Sequence, residues 1–221
     1  MLQATSDDRP TRRSTDEASD REASDSTIRR RRAACGKLAS VSSAALPPRL
    51  VVRRLARAGD AEIAALAALL VDVVDGGASV GFMQPLDLAR AEAFWRGVAA
   101  GVARGERALF VAEDGALGAI VGTVQLVLHQ PENQPHRADV AKMLVRRSAR
   151  RRGIGAALMR AAEDEARERD RTLLVLDTAS ADAERLYARL GWQRCGTIPG
   201  YALLPHGGPC DTTYFYRVLA G

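Results

Sequence analysis

Where a strand-like segment gives way to a helical one, the chain reads Arg150-Arg151-Arg152-Gly153-Ile154-Gly155-Ala156. Apolar residues recur along residues 137–145, which predicts a strand, and the pattern over residues 154–169 predicts a helix. The first turn of a helix leaves backbone N–H groups without carbonyl partners, and glycines let an anion approach them closely. Because the helix dipole and the arginines add positive charge, this stretch predicts a turn that binds a pyrophosphate.

Two common nucleotide-binding motifs do not fit this turn. The sequence has no Gly-x-x-x-x-Gly-Lys-Ser/Thr motif, and the turn has one glycine fewer than the Gly-x-Gly-x-x-Gly fingerprint of dinucleotide-binding proteins. Neither ATP nor NAD is therefore indicated. The turn by itself leaves open a purely structural connection with solvated arginines.

Helical and strand-like patterns precede the turn. They predict a short strand at residues 50–53, helices at 60–74 and 85–103, and strands at 108–113 and 119–129. Asp60 is a residue type that caps helices, and Pro85 suits the first turn of one. The dipeptide Asp114-Gly115 favours a tight hairpin, so we expect the last two strands to pair antiparallel.

After the turn, a continuous apolar run at residues 172–176 predicts a strand buried on both faces. A short helix follows over residues 181–190 and ends at Gly191, and strands are predicted at 192–197 and 212–219. The strand before the turn, its helix and the buried strand form one crossover unit. The sequence therefore predicts a mixed α/β fold: a central mixed sheet flanked by helices, with one parallel strand pair at its centre.

The chain divides by composition into two parts. Residues 1–48 are rich in Ser, Thr, Asp, Glu and Arg and contain few aliphatic residues, so we expect a disordered extension. Residues 49–221 carry the apolar patterns and are predicted to form one domain. No run of about 18 apolar residues occurs, which predicts a soluble protein with no membrane partner.

Three cysteines with irregular spacing predict neither a disulfide framework nor a metal site, and they fit a reducing cytoplasm. The net charge of +5 is modest, and the excess of arginine over lysine, beside abundant alanine, indicates a GC-rich bacterial genome. We therefore expect no nucleic acid as a partner, because a modest charge more often serves solubility.

The order of elements from residue 138 to residue 192 resembles the GNAT superfamily of acyltransferases. It comprises a strand, the Arg-x-x-Gly-x-Gly turn, a helix, an apolar strand and then Ala183-Glu184-Arg185-Leu186-Tyr187-Ala188-Arg189-Leu190-Gly191-Trp192. The resemblance implies a GNAT fold and acetyl-CoA as co-substrate. It also implies that coenzyme A contacts the turn and the strand before it, at Met143, Leu144, Val145, Arg150, Arg151, Arg152, Gly153, Ile154, Gly155 and Ala156.

Three further stretches are similar to the tabtoxin-resistance branch of this superfamily. They are residues 136–145, residues 174–178 and residues 196–201. One departure from many GNAT sequences is Ser180, which stands where asparagine is common and is expected to contact the cofactor. The connection from Asp177 to Tyr187 is also about one residue shorter than in that branch.

Acetyl transfer to an amine needs a neutral amine, a donor for the developing oxyanion and a proton for the leaving thiolate; the amine loses its proton to a base or to solvent. The resemblance implies that Tyr187 lies near the sulfur, where it protonates the leaving thiolate or donates a hydrogen bond to it. Asp139 and Asp177 match acidic positions of the tabtoxin-resistance relatives, and either is a candidate base. A backbone N–H near Leu144 or Val145 is the expected oxyanion donor.

The acceptor amine is expected to bind between the loops at residues 76–84, 129–136 and 201–211. The resemblance to the tabtoxin-resistance branch implies a small metabolite, toxin or antibiotic, while protein or peptide amines remain an alternative. Two other functions stay open: a basic nucleic-acid binder, and a catalytically silent sensor of coenzyme A. Because members of this superfamily often form dimers, a homodimer is a further alternative.

Overall fold

A computed structural model describes residues 50–115 and 118–219, and the expectation of disorder for residues 1–48 lies outside these residues. Seven strands and four α-helices follow one another along the described chain. Their bounds, in chain order, are β1 Leu50–Leu55, α1 Asp60–Asp75, α2 Leu88–Ala103, β2 Arg107–Asp114, β3 Ala119–Val127, β4 Arg137–Val145, α3 Ile154–Glu168, β5 Leu173–Thr178, α4 Ala181–Arg189, β6 Gln193–Leu203 and β7 Pro209–Val218.

The strands form one seven-stranded sheet in the order β1-β2-β3-β4-β5-β7-β6. Neighbouring strands run antiparallel except for β4 and β5, which are parallel and are connected through α3. The predicted mixed α/β fold with one central parallel pair is therefore confirmed. The predicted antiparallel pairing of β2 with β3 is also confirmed, but Asp114 is the last residue of β2 and pairs with Ala119, and the connection between them lies partly outside the described residues.

Helices cover both faces of the sheet. On one face, α1 and α2 pack on alternate residues of β2, such as Leu109 and Val111, around the buried Trp95. On the other face, α3 packs with Leu158 and Met159 on the remaining side chains of the central strands. None of the described helices is both long and apolar enough to span a bilayer.

The predicted cap of α1 and the predicted start of α2 are wrong, whereas the predicted start of α1 at residue 60 is confirmed. The α1 helix is capped by Gly59, whose N–H donates to Glu62 Oε2 over 3.1 Å, and Asp60 is the first helical residue. The α2 helix begins at Leu88, because the Asp87 carboxylate accepts a hydrogen bond from the backbone of Arg90 at 2.7 Å. Residues 85–87 therefore belong to the loop before α2.

Two other predictions need correction in the second half of the chain. The β5 strand buries only one face fully, through Leu174 and Leu176, whereas the side chains on its other face are half-buried or exposed. The segment 201–211 is mostly a β-hairpin, since β6 continues to Leu203 and β7 starts at Pro209. Only residues 204–208 remain as its turn.

Candidate functional site

The glycine turn between β4 and α3 presents a row of free backbone donors. Its backbone enters the left-handed region at Arg151, with φ 63°, and at Gly153, with φ 79°. The first helical hydrogen bond is made by Ala157, and the N–H groups of residues 151–156 donate to no backbone carbonyl or side chain in the described part of the chain. Such a row at a helix start fits the negative oxygens of a phosphate.

The two glycines of the turn serve different needs. Gly153 adopts a positive φ, which strains most other residues. Gly155 is needed for space, because a Cβ there would lie 2.9 Å from Cδ2 of Leu186 and 3.6 Å from Sδ of Met143. The start of α3 is thereby held against α4 and β4, which fixes the direction of the free amides.

Two arginines next to the turn are held by carboxylates. Arg152 forms an ion pair of 2.9 Å with the buried Asp114 at the end of β2. Arg147 donates to Asp72 of α1 through its backbone N–H at 2.9 Å and its guanidinium at 3.0 Å. Burial would raise the pKa of Asp72, but these hydrogen bonds outweigh it and lower the pKa. Arg152 is therefore already neutralised, whereas Arg151 is exposed.

Strands β4 and β5 separate soon after they pair. Their register covers only Arg137 to Asp139 on β4, opposite Leu173 to Val175 on β5. From residue 140 onward, one edge of β4 has no strand partner, so its outward N–H and C=O groups face an opening. This opening ends at the glycine turn, where Arg150 Nε donates to the Val145 carbonyl over 3.5 Å.

A β-bulge in β4 re-aims the side chains beside the opening. The register with β3 shifts between Thr123 and Gln125, and Lys142 takes a φ of 49°. After the bulge, Leu144 packs into the core under α1 and α2, while Met143 and Val145 are half-buried against the opposite core. The three predicted cofactor-contacting residues therefore line β4 where it is open.

Tyr187 lies on α4 with its ring in the core beneath the sheet. It is 4% exposed and packs against Trp192 and Phe215, with ring centroids 6.0 and 5.7 Å away. Its hydroxyl forms no hydrogen bond with a described residue. Burial raises the pKa of Tyr187 above its usual value, and the charge of Asp177 adds to the increase. The phenol therefore stays protonated and able to donate.

The two candidate bases occupy different environments. Asp139 lies where β4 and β5 are still paired, and its carboxylate accepts from Gln130 at 3.2 Å and from Arg137 at 3.5 Å. Asp177 lies near the end of β5, beyond the last pairing with β4. Partial burial raises the pKa of Asp177, the positive charge of Lys142 opposes the increase, and Asp139 adds to it. Only Asp177 is free to face the opening.

Ser180 has a structural role in the described chain. It is the N-cap of α4, and its hydroxyl accepts the N–H of Ala183 at 3.4 Å, while its own N–H donates to Thr178 Oγ1 at 3.1 Å. Both groups fix the start of the helix that carries Tyr187. A contact between Ser180 and the cofactor stays a prediction.

Lys142 lies beside the opening, although no sequence pattern indicated it as a site residue. Burial lowers the pKa of its ammonium, Asp177 opposes the decrease, and Arg107 adds to it. The Nζ atom lies 5.7 Å from the ring centroid of Phe94 on α2. The only sequence signal was its place as a single lysine within an apolar strand, which the bulge turns toward α2.

The loop between α1 and α2 meets the β6–β7 hairpin. The N–H of Gln84 donates to the Pro205 carbonyl at 3.0 Å, and Ser79 Oγ donates to the Leu203 carbonyl at 3.3 Å. A cleft of about 620 Å³ lies outside this junction, between Met83 and the hairpin turn. None of the candidate catalytic residues lines it, so we do not assign it to the reaction.

A family model described as the acetyltransferase (GNAT) family matches residues 79–192, which is more than half of the chain. The chain belongs to the GNAT acetyltransferase family. The match includes the opening between β4 and β5, the glycine turn and the helix with Tyr187. The resemblance inferred from these motifs is therefore confirmed at the level of the family.

Several solved structures share the architecture. The ribosomal-protein-alanine N-acetyltransferase of Brucella melitensis is 25% identical with a TM-score of 0.63, over 76% of this chain and 99% of that one. The protein yncA of Salmonella typhimurium, solved with its cofactor acetyl-CoA, is 19% identical with a TM-score of 0.64, over 78% of this chain and 95% of that one. An N-acetyltransferase of Staphylococcus aureus Mu50 is 18% identical with a TM-score of 0.64, over 77% and 99%.

Proposed function

We propose that this GNAT protein transfers the acetyl group of acetyl-CoA to a primary amine of a small molecule. The observation that supports this most is the row of free N–H groups at residues 151–156, next to the open edge of β4. A diphosphate fits the first feature and an extended pantetheine arm fits the second, because each supplies the acceptors that the backbone lacks. The family membership makes acetyl-CoA the natural occupant.

When bound, acetyl-CoA supplies the activated acetyl thioester, and the chain supplies position and proton transfer. The free amides and the exposed Arg151 hold the diphosphate at the start of α3. Arg152 instead holds the turn to Asp114. An N–H on the open edge of β4, near Leu144 or Val145, is the donor for the negative charge that develops on the carbonyl oxygen.

Proton transfer is assigned to two residues, Asp177 near the end of β5 and Tyr187 on α4. Asp177, directly or through a water molecule, takes the proton that the amine loses as its nitrogen bonds to the acetyl carbon. Its raised pKa makes it a better base than an ordinary carboxylate, and Asp139 is already engaged by Arg137. Tyr187 then donates its phenolic hydrogen to the departing sulfur; its burial raises the pKa of the phenol and so keeps it protonated at neutral pH until the basic thiolate forms.

A small acceptor is supported by the resemblance of three stretches to the tabtoxin-resistance branch. A protein or peptide amine is the second candidate, because a 25% identical structure is described as a ribosomal-protein-alanine N-acetyltransferase. A coenzyme A sensor without turnover would keep the turn but would have no use for the unpartnered hydroxyl of Tyr187. Nucleic acid is disfavoured because Arg147 and Arg152 are already paired with carboxylates.

The direct test is release of free thiol from acetyl-CoA in the presence of single acceptors. The panel holds small amines, amino acids, amine-bearing antibiotics and short peptides. We expect release with at least one small amine and none with the Gly153→Trp variant, whose side chain fills the turn. Release with peptides alone would replace the proposed acceptor class, and no release with any acceptor, while acetyl-CoA still binds, would support the sensor.

A further inference from the structure

Two basic side chains that lie against α2 form no ion pair with a carboxylate of a described residue. They are Lys142 on the bulge of β4 and Arg107 at the start of β2. Arg107 is close enough to lower the pKa of Lys142, and no carboxylate of a described residue lies within 4.0 Å of either side chain. Arg152, by contrast, has such a carboxylate in Asp114.

The residues around the Lys142 ammonium stabilise it without supplying a negative charge within ion-pair distance. The ring of Phe94 lies 5.7 Å from Nζ, and a Cβ on Gly81, in the loop between α1 and α2, would lie 3.7 Å from Nζ. The charge of Asp177 attracts the Lys142 ammonium from across the opening, but the carboxylate oxygens of Asp177 lie more than 4.0 Å from Nζ. A half-buried ammonium in this position is unfavourable until an anion joins it.

A third donor lies on the same face of the sheet. Arg107 NH1 donates to Gln125 Oε1 at 3.0 Å, so the amide nitrogen of Gln125 is its remaining polar atom. That Nε2 atom is fully buried and has no hydrogen-bond partner. Gln125 pairs with Ala141, the residue before Lys142. The amide nitrogen of Gln125 thus lacks an acceptor, and neither the Lys142 ammonium nor the Arg107 guanidinium has a carboxylate partner among the described residues.

We propose that Lys142, with Arg107 behind it, binds a carboxylate of the acceptor. Because Asp177 faces Lys142 across the opening, the acceptor is a small amino acid-like molecule whose amine points to Asp177 and whose carboxylate points to Lys142. This inference rests on the proposed acetyltransferase function and narrows its acceptor class. It makes Lys142 a specificity-determining residue.

The test compares paired acceptors that differ only in the carboxylate. Free amino acids are assayed beside their C-terminal amides and their decarboxylated amines, with thiol release as the readout. We expect kcat/KM to be about 10-fold to 100-fold higher for the free acid of the best pair, as a charge-assisted hydrogen bond implies. In the Lys142→Met variant this ratio should fall to near 1, and Lys142→Arg should restore part of it.

Arg96→Met is the matched control, because it removes one positive charge from an exposed position on α2 that pairs with Glu92. It should leave the ratio unchanged. Lys142→Met should keep the thermal midpoint and the acetyl-CoA affinity of the wild type, since it removes an unpaired, half-buried charge. Equal kcat/KM values for acids and amides in the wild type would overturn the inference but not the proposed acetyltransferase function. The same conclusion would follow if the Lys142→Met variant kept the wild-type ratio of kcat/KM values. No release with any amine would instead overturn the proposed function and the inference with it.

Discussion

Replacing Tyr187 with phenylalanine separates catalysis from folding. The ring is packed between Trp192 and Phe215, and phenylalanine keeps these contacts. Because the hydroxyl has no partner among the described residues, its loss should change the free energy of unfolding by less than about 1 kcal/mol. General acid catalysis contributes about 10²-fold to 10⁴-fold, which is about 2.7 to 5.4 kcal/mol of the activation free energy.

The assay is steady-state thiol release, with acetyl-CoA affinity and the thermal midpoint measured on the same samples. We expect Tyr187→Phe to lower kcat by at least about 100-fold at unchanged affinity and midpoint. Tyr216→Phe makes the same chemical change at a hydroxyl that donates to Gln193, and it should keep kcat. A Tyr187→Phe enzyme as fast as the wild type would remove the phenol from the mechanism.

Further outcomes follow from the same geometry. Asp177 must be ionised to accept a proton, so activity should fall as the pH falls through its pKa, which lies above the ordinary value of 3.8. The Asp177→Asn variant should lower kcat/KM and abolish this decrease at low pH in a pH-rate profile. An unchanged decrease at low pH would assign the base to another residue. The Gly122→Ala variant places a Cβ 2.9 Å from Ile154 Cγ2 and should lower the free energy of unfolding, measured in urea, by about 1 to 3 kcal/mol. Gly97 lies on α2 with open space around it, so Gly97→Ala should raise the free energy of unfolding by about 0.5 to 1 kcal/mol. Equal midpoints for the two alanine variants would show that the contact between β3 and α3 is looser than described.

The local patterns were sufficient to predict most of the fold. Strand β4 has the predicted bounds, residues 137–145, and the turn with its free amides lies where the motif placed it. The errors arose at the N-terminal ends of helices, where one hydrogen bond decides which residue is the first helical one. Asp87 caps α2, but Pro85 also suits the first turn of a helix and was predicted as its start. Periodicity does not distinguish such alternatives.

The candidate site was predicted less completely, because its chemistry depends on contacts between distant segments. The partner of Arg152 is Asp114, which the sequence suggested only as a hairpin residue. The choice between Asp139 and Asp177 follows from where β4 and β5 separate, which no local pattern specifies. Lys142 went unnoticed because a bulge, invisible in the sequence, turns it toward Phe94.

The central claim is that the free amides of residues 151–156 hold a diphosphate. Titration calorimetry with acetyl-CoA and with acetylated pantetheine, which lacks the diphosphate and the nucleotide, tests it most directly. If two of the amides each contribute about 1.5 to 3 kcal/mol, acetyl-CoA should bind at least about 100-fold more tightly than acetylated pantetheine, with one molecule per chain. Equal affinities for the two ligands, or no heat with acetyl-CoA, would contradict the account.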